Sequence, residues 1–291
     1  MHMVSKYKSP SGGKLILESY DRLLETWDVE KVEMDIDTTF GKTHIAAAGD
    51  PSNPPLILFH GVGDDLALMW INNAKALSEH FRIYAVDTIG GPGKSEPNDE
   101  YFKTYDQIRW IDELLDALKI GRAYFAGVSN GAYLTVHYSI KRPEHVIRAV
   151  CMSGAGGGSM LRMLAFVPAA LFPTERNIKK LLKKLCGPNN ASLMDSPEIM
   201  RHWECLLKYF NTRSMMQQKV VRFGDEELKT LSGRALFLLG EADGLLRLPG
   251  DLEKLERNHI GYKVIKNAGH AVNHQQPGIV NKEITEFLLK A

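Results

Sequence analysis

Cysteine is scarce in this sequence and net charge is almost nil. Cys151, Cys186 and Cys205 are the three cysteines in 291 residues. An odd number at wide spacing supports neither a disulfide framework nor a zinc-ligand pattern, so reduced, mostly buried thiols are expected. With 36 Lys and Arg against 35 Asp and Glu the formal charge is +1, which gives no electrostatic case for nucleic acid or for an acidic substrate. No apolar run approaches the length of a membrane span. Residues 1–14 carry Lys6, Lys8 and small polar residues where a secretory signal would have its apolar centre. Repeats and low-complexity linkers are also missing. The expectation is a cytoplasmic globular protein: 44% of residues are hydrophobic and 24% charged, ordinary values for that class.

What the chain has is alternation. Residues 15–28 place Leu15, Leu17, Leu23, Leu24 and Trp27 at helical spacing. Residues 31–37 alternate Val32, Met34 and Ile36 with charges, and residues 44–48 follow after a short turn, so the chain opens with a hairpin. Leu56-Ile57-Leu58-Phe59 is a continuous apolar run, the mark of a strand covered on both faces. A helix over 66–79, a strand over 81–87, a helix over 105–118 and strands over 123–128 and 146–152 come next. Residues 155–225 break the rhythm with Pro168, Pro173, Pro188 and Pro197, and it resumes with strands over 235–239 and 262–265 and helices near 252–257 and 279–289. Strands separated by such helices imply right-handed crossovers. The expected fold is α/β: about eight strands in a mostly parallel sheet with helices on both faces. Residues 1–154 and 226–291 form its core domain, and 155–225 are inserted as a helical cap.

The strand over 123–128 runs into Gly127-Val128-Ser129-Asn130-Gly131, and a helix follows. A strand that turns this sharply into a helix strains the central residue and needs small neighbours two places to either side. Such a nucleophile elbow lifts the Ser129 hydroxyl clear of the sheet and leaves the Asn130 N–H free for an oxyanion. Three further motifs fall at the carboxyl ends of strands, where open α/β sheets place their sites. In His60-Gly61-Val62-Gly63, the Val62 N–H is the second oxyanion donor and His60 packs the turn. Asp243, in Gly240-Glu241-Ala242-Asp243, is the acid, with Glu241 as its rival. His270, in Asn267-Ala268-Gly269-His270, is the base, with His274 as its rival. Serine, acid, histidine is the chain order of a hydrolytic triad on such a sheet. Asp87 also ends a strand but precedes the elbow, and it is expected to fix the Gly-rich loop behind it.

The ordered set His60-Gly61, Gly127 to Gly131, Asp243 and Gly269-His270 resembles the α/β-hydrolase superfamily, over about residue 31 to the end of the chain. Thr39-Phe40-Gly41-Lys42-Thr43-His44, Tyr84-Ala85-Val86-Asp87 and Val264 to His270 resemble the bacillus carboxylesterases that hydrolyse naproxen esters. The resemblance implies a serine hydrolase acting through an acyl-enzyme, with no metal or organic cofactor. Within 155–225, Met160, Met163, Met194, Met200, Met215 and Met216 suit either cap core or an adaptable apolar pocket. Ile178, Leu181, Leu182 and Leu185 form a stripe framed by Lys179, Lys180, Lys183 and Lys184, a cap helix with a solvated face in preference to a membrane-surface helix. The expected partner is a small hydrophobic ester, with no nucleic acid and no stable membrane association. Carbon–carbon bond hydrolysis, lactone opening, perhydrolysis and a receptor that does not turn its ligand over stay open as alternatives.

Overall fold

The computed structural model describes residues 4–154, 166–187, 189 and 191–290. One sheet holds nine strands: β1 (Lys31–Thr38), β2 (Gly41–Ala48), β3 (Pro55–Phe59), β4 (Arg82–Val86), β5 (Glu96–Pro97), β6 (Ala123–Val128), β7 (Val146–Met152), β8 (Ala235–Gly240) and β9 (Gly261–Ile265). Their order is β1-β2-β4-β3-β6-β7-β8-β9, with the short β5 beside β2. The β1–β2, β2–β4 and β2–β5 pairs are antiparallel, and every pair from β4 to β9 is parallel. The eight strands read from the sequence are all present. The ninth, β5, has two residues, too few to carry a period.

The central strands are apolar on both faces because each face has its own core. In β3, Leu56 and Leu58 join one buried cluster with Trp27, Trp70 and Val128. Ile57 and Phe59 point the other way, into a cluster with Trp110, Phe125 and Phe237. This is the two-residue period of a strand, and each such side chain contributes roughly 1.5 to 3 kcal/mol on burial. From β3 the chain first builds outward through β4 and then returns to lay β6 against the other side of β3. The carboxyl ends of β3 and β6 therefore lie side by side at a topological switch point, the crevice where such sheets bind ligands.

Two helices depart from the sequence reading. The stretch 66–79 is two short helices, Leu66–Met69 and Ala74–Ser78. Asn73, between them, is buried and gives its side-chain amide to Asn281 at 2.7 Å, a partner no local pattern foretells. The leading helix starts early, at Pro10: the Ser9 hydroxyl accepts from the Gly12 N–H at 3.1 Å and Pro10 takes the first helical position. Gly12 blurs that start in the sequence because the Tyr209 ring occupies the place of its side chain, 2.6 Å from where a Cβ would stand.

Tyr209 belongs to the insertion between β7 and β8, whose described helices before residue 210 are Val167–Leu171, Glu175–Cys186, Ala191–Met194 and Pro197–Tyr209. The leading helix packs on the last of these. An isolated bridge joins Tyr7 to Phe210, and the Lys8 N–H donates to Tyr209 O at 2.8 Å. In Glu175–Cys186 the stripe Ile178, Leu181, Leu182 and Leu185 is buried and the lysines lie outside it. Met160 and Met163 fall outside the described residues; Met215 is buried, whereas Met216 is exposed. Among the described residues no helix is long and apolar enough to cross a membrane. The three cysteines are buried free thiols.

Candidate active site

Ser129 joins β6 to the helix Asn130–Lys141 with φ +56° and ψ −112°. A non-glycine residue in this region costs on the order of 1 to 3 kcal/mol and persists only where its surroundings over-determine it. They do so here. The Ser129 N–H donates to Met152 O at 2.8 Å. A Cβ on Gly127 would collide with the backbone of Gly131, and one on Gly131 would stand 2.6 Å from Phe59 C and 2.9 Å from His60 O. The elbow is thus pressed between its own two arms and the end of β3. Gly131→Ala, which meets only rigid backbone, is expected to cost about 3 kcal/mol or more, a fall of roughly 6 to 12 °C in Tm. Gly121→Ala, with nothing within 4 Å of its Cβ, should leave Tm within about 1 °C; thermal unfolding of the pair checks this.

The turn after β3 comes up against the nucleophile. A Cβ on Gly61 would lie 3.4 Å from Ser129 Cβ, which is van der Waals contact. Neither the Val62 nor the Asn130 N–H donates a hydrogen bond to any described residue. His60 holds the start of this turn. Its Nε2 accepts from the Thr88 N–H at 2.8 Å, so the proton sits on Nδ1 and goes to Gly61 O at 2.8 Å. Both ring nitrogens of this fully buried side chain are occupied, which fits the packing role read from the sequence. Asp87 accepts from Lys94 N–H at 2.7 Å, Leu66 N–H at 3.0 Å and Tyr20 hydroxyl at 3.0 Å. It fixes the Gly-rich loop as expected, and it also clamps the leading helix.

Asp243 and His270, 27 residues apart on the loops after β8 and β9, meet with 2.9 Å between Oδ2 and Nδ1. The Asp243 side chain is fully buried, and its Oδ1 accepts from the Leu245 N–H at 2.8 Å. A carboxylate only accepts, so Nδ1 carries the proton and Nε2 is left to act as a base. Glu241 is exposed and touches this loop only through its backbone N–H, which donates to Ile265 O at 3.0 Å. The His270 side chain keeps 16% of its surface exposed, and the His270 backbone N–H donates to Leu185 O at 2.7 Å, at the end of an insertion helix. Gln275, whose role no sequence pattern announced, closes this clasp: its Oε1 accepts from the Gly269 N–H at 2.8 Å and its Nε2 donates to Cys186 O at 2.5 Å. His274 lies in the short helix Val272–Gln275, buried, and burial pushes its pKa down to about 4. No hydrogen bond links Ser129 to His270; contacts of this kind commonly tighten only around substrate.

Among the described residues no group of three or more His, Cys, Asp or Glu side chains is placed to hold a metal ion. One cavity of about 470 Å³ lies on the insertion, beside Arg176, Lys180, Lys183 and Met194, and Ser129, Asp243 and His270 take no part in its lining.

The alpha/beta hydrolase fold family matches residues 54–183. The carboxylesterase YbfK of Bacillus subtilis is 29% identical over 97% of this chain and 96% of its own, and its crystal structure superposes with a TM-score of 0.85. The crystal structure of naproxen esterase from Bacillus subtilis gives a TM-score of 0.82 at 26% identity, covering 96% of this chain and 99% of that one. A 2-hydroxy-6-oxononadienedioate/2-hydroxy-6-oxononatrienedioate hydrolase from Burkholderia vietnamiensis is 34% identical over 81% of this chain and 87% of its own.

Proposed function

The chain belongs to the α/β-hydrolase fold family, and on that premise we propose that it is a serine carboxylesterase working through Ser129, His270 and Asp243. The observation that carries the reading is the 2.9 Å contact between Asp243 and His270 on the sheet end where Ser129 is held at φ +56°. His270 Nε2 takes the Ser129 proton as the hydroxyl attacks the ester carbonyl, and Asp243 stabilises the imidazolium that forms. The N–H groups of Val62 and Asn130 receive the oxyanion, a contribution of about 2.7 to 4 kcal/mol per donor. The tetrahedral intermediate collapses with loss of the alcohol, which leaves with the proton from His270. Water, deprotonated by His270, then cleaves the acyl-enzyme to the acid and free Ser129. Residues 155–225, of which 155–165, 188 and 190 lie outside the described residues, are the cap in this reading, and the cap's apolar residues favour a hydrophobic acyl or aryl group. Free, buried thiols fit a reducing compartment, the cytoplasm.

Hydrolysis of p-nitrophenyl esters of graded acyl length tests this. Release with an optimum at a medium or long chain is expected, and that optimum measures the acyl pocket. The 34% identity to the 2-hydroxy-6-oxononadienedioate/2-hydroxy-6-oxononatrienedioate hydrolase favours one second reading, in which the same Ser129 cleaves a carbon–carbon bond of a dienone acid. A folded protein that labels with a fluorophosphonate at Ser129, leaves every ester intact and cleaves such an acid would replace the esterase reading with that one.

A further inference from the structure

A buried row of side chains ties the insertion to the turn that carries Val62. His202, on the insertion helix Pro197–Tyr209, and Asp65, which caps the helix Leu66–Met69, are both fully buried. His202 Nε2 stands 2.7 Å from Asp65 Oδ2, and on the other side of the ring Nδ1 is 2.8 Å from Ser19 Oγ. The Ser19 hydroxyl donates its own proton to Ile16 O at 2.8 Å, so towards His202 it only accepts. The carboxylate only accepts as well. Nε2 therefore donates to Asp65, and with Nδ1 donating to Ser19 the arrangement favours the charged form of the ring. Burial opposes that charge, but the carboxylates of Asp65, Asp64 and Asp87 outweigh it and hold His202 above the usual imidazole pKa.

The turn needs such a hold. Its start is fixed by His60, as described above. In its middle the Val62 side chain is 51% exposed, and a Cβ on Gly63, at φ +72°, would have nothing within 4 Å. Side-chain packing at Val62 and Gly63 adds little to the placing of the Val62 N–H, so the two ends of the turn carry it. At the far end Asp65 Oδ1 accepts from the Leu68 N–H at 3.1 Å, and the Asp65 N–H donates to Asp64 Oδ1 at 2.9 Å. Without the Nε2 donor, Asp65 Oδ2 would be a buried carboxylate oxygen with no partner, a strongly unfavourable state that only movement or protonation relieves.

We propose that His202 is a positioning residue: through Asp65 it fixes the turn from Gly61 to Asp64, so that the insertion and the Val62 N–H are set as one unit. This rests on the reading of Ser129 as nucleophile and Val62 as oxyanion donor. His202→Asn keeps a donor on the Nδ1 side and withdraws the one facing Asp65, whereas His202→Gln reaches the Nε2 place with its amide. With a p-nitrophenyl ester, His202→Asn should lower kcat about 10- to 100-fold, up to the cost of a donor misplaced by about 1 Å. KM should stay within about threefold, phenylboronic acid should bind weaker by the same factor as kcat, and His202→Gln should return to within about threefold of the parent. If both variants lose Tm yet keep the parent kcat and phenylboronic acid affinity at temperatures where they are folded, the role is structural only and the proposal is overturned. Should His202→Asn fail to fold, Asp65→Asn carries the test. Asparagine still caps Leu68 but has no charge for His202, and about a tenfold loss of kcat is expected; unchanged kcat overturns the proposal. Ser129→Ala measured beside them separates the two claims. Activity surviving in Ser129→Ala would sink the site reading, whereas an inactive Ser129→Ala with a fully active His202→Asn sinks only the coupling.

Discussion

Ser129→Ala should lower kcat for ester hydrolysis by on the order of 10⁴- to 10⁶-fold, the range seen when the nucleophile of such a triad is removed. The fold should not notice. The Ser129 side chain makes no hydrogen bond to any described residue, so alanine forfeits none. The strain at φ +56° is a backbone property set by Met152 O and by the contact of Gly127 with Gly131. Alanine inherits it unchanged, and Tm should stay within about 1 °C. Labelling by a fluorophosphonate should vanish, while binding of the carboxylic acid product, which needs the pocket but not the nucleophile, should persist. Full hydrolytic activity in the folded variant would remove Ser129 from the mechanism, and with it the whole arrangement built around it.

That site was legible from the sequence because its constraints are local. A sharp strand-to-helix turn demands small residues two places either side of the nucleophile, and Gly127 and Gly131 meet that demand in five consecutive positions. The sequence reading sets Asp243 ahead of Glu241 as the acid; in the structure Asp243 makes the buried contact with His270 and Glu241 is exposed. The sheet was legible for a similar reason, each long strand carrying its own apolar run or its own alternation of apolar and polar residues. What could not be read depends on partners far away in the chain. Asp65 ahead of an apolar stretch is a readable helix cap, but its bond to His202 spans 137 residues and nothing near either residue announces it. Gln275 and Asn73 have the same cause, each being settled by a tertiary neighbour in a distant segment; the early helix start has a local cap in Ser9 and Pro10, but Gly12, whose side-chain place the distant Tyr209 fills, obscures it.

Asp243→Asn should lower kcat by about 10⁴-fold with little loss of stability, and the reason can be followed atom by atom. Asp243 Oδ1 accepts from the Leu245 N–H at 2.8 Å, so an asparagine keeps its carbonyl oxygen there and turns its NH₂ towards His270. His270 Nδ1 must then accept instead of donate. Its proton moves to Nε2, the nitrogen that has to take the proton of Ser129, and the base is disabled by its tautomer rather than by its absence. Nor could the imidazolium, if it formed, find a negative charge beside it. Glu241→Gln, at an exposed position that contacts this loop only through its backbone, should keep kcat within about twofold. The ester assay on both variants decides the matter: a large loss in Glu241→Gln with an active Asp243→Asn would assign the acid to Glu241 and make the buried Asp243–His270 contact a structural one.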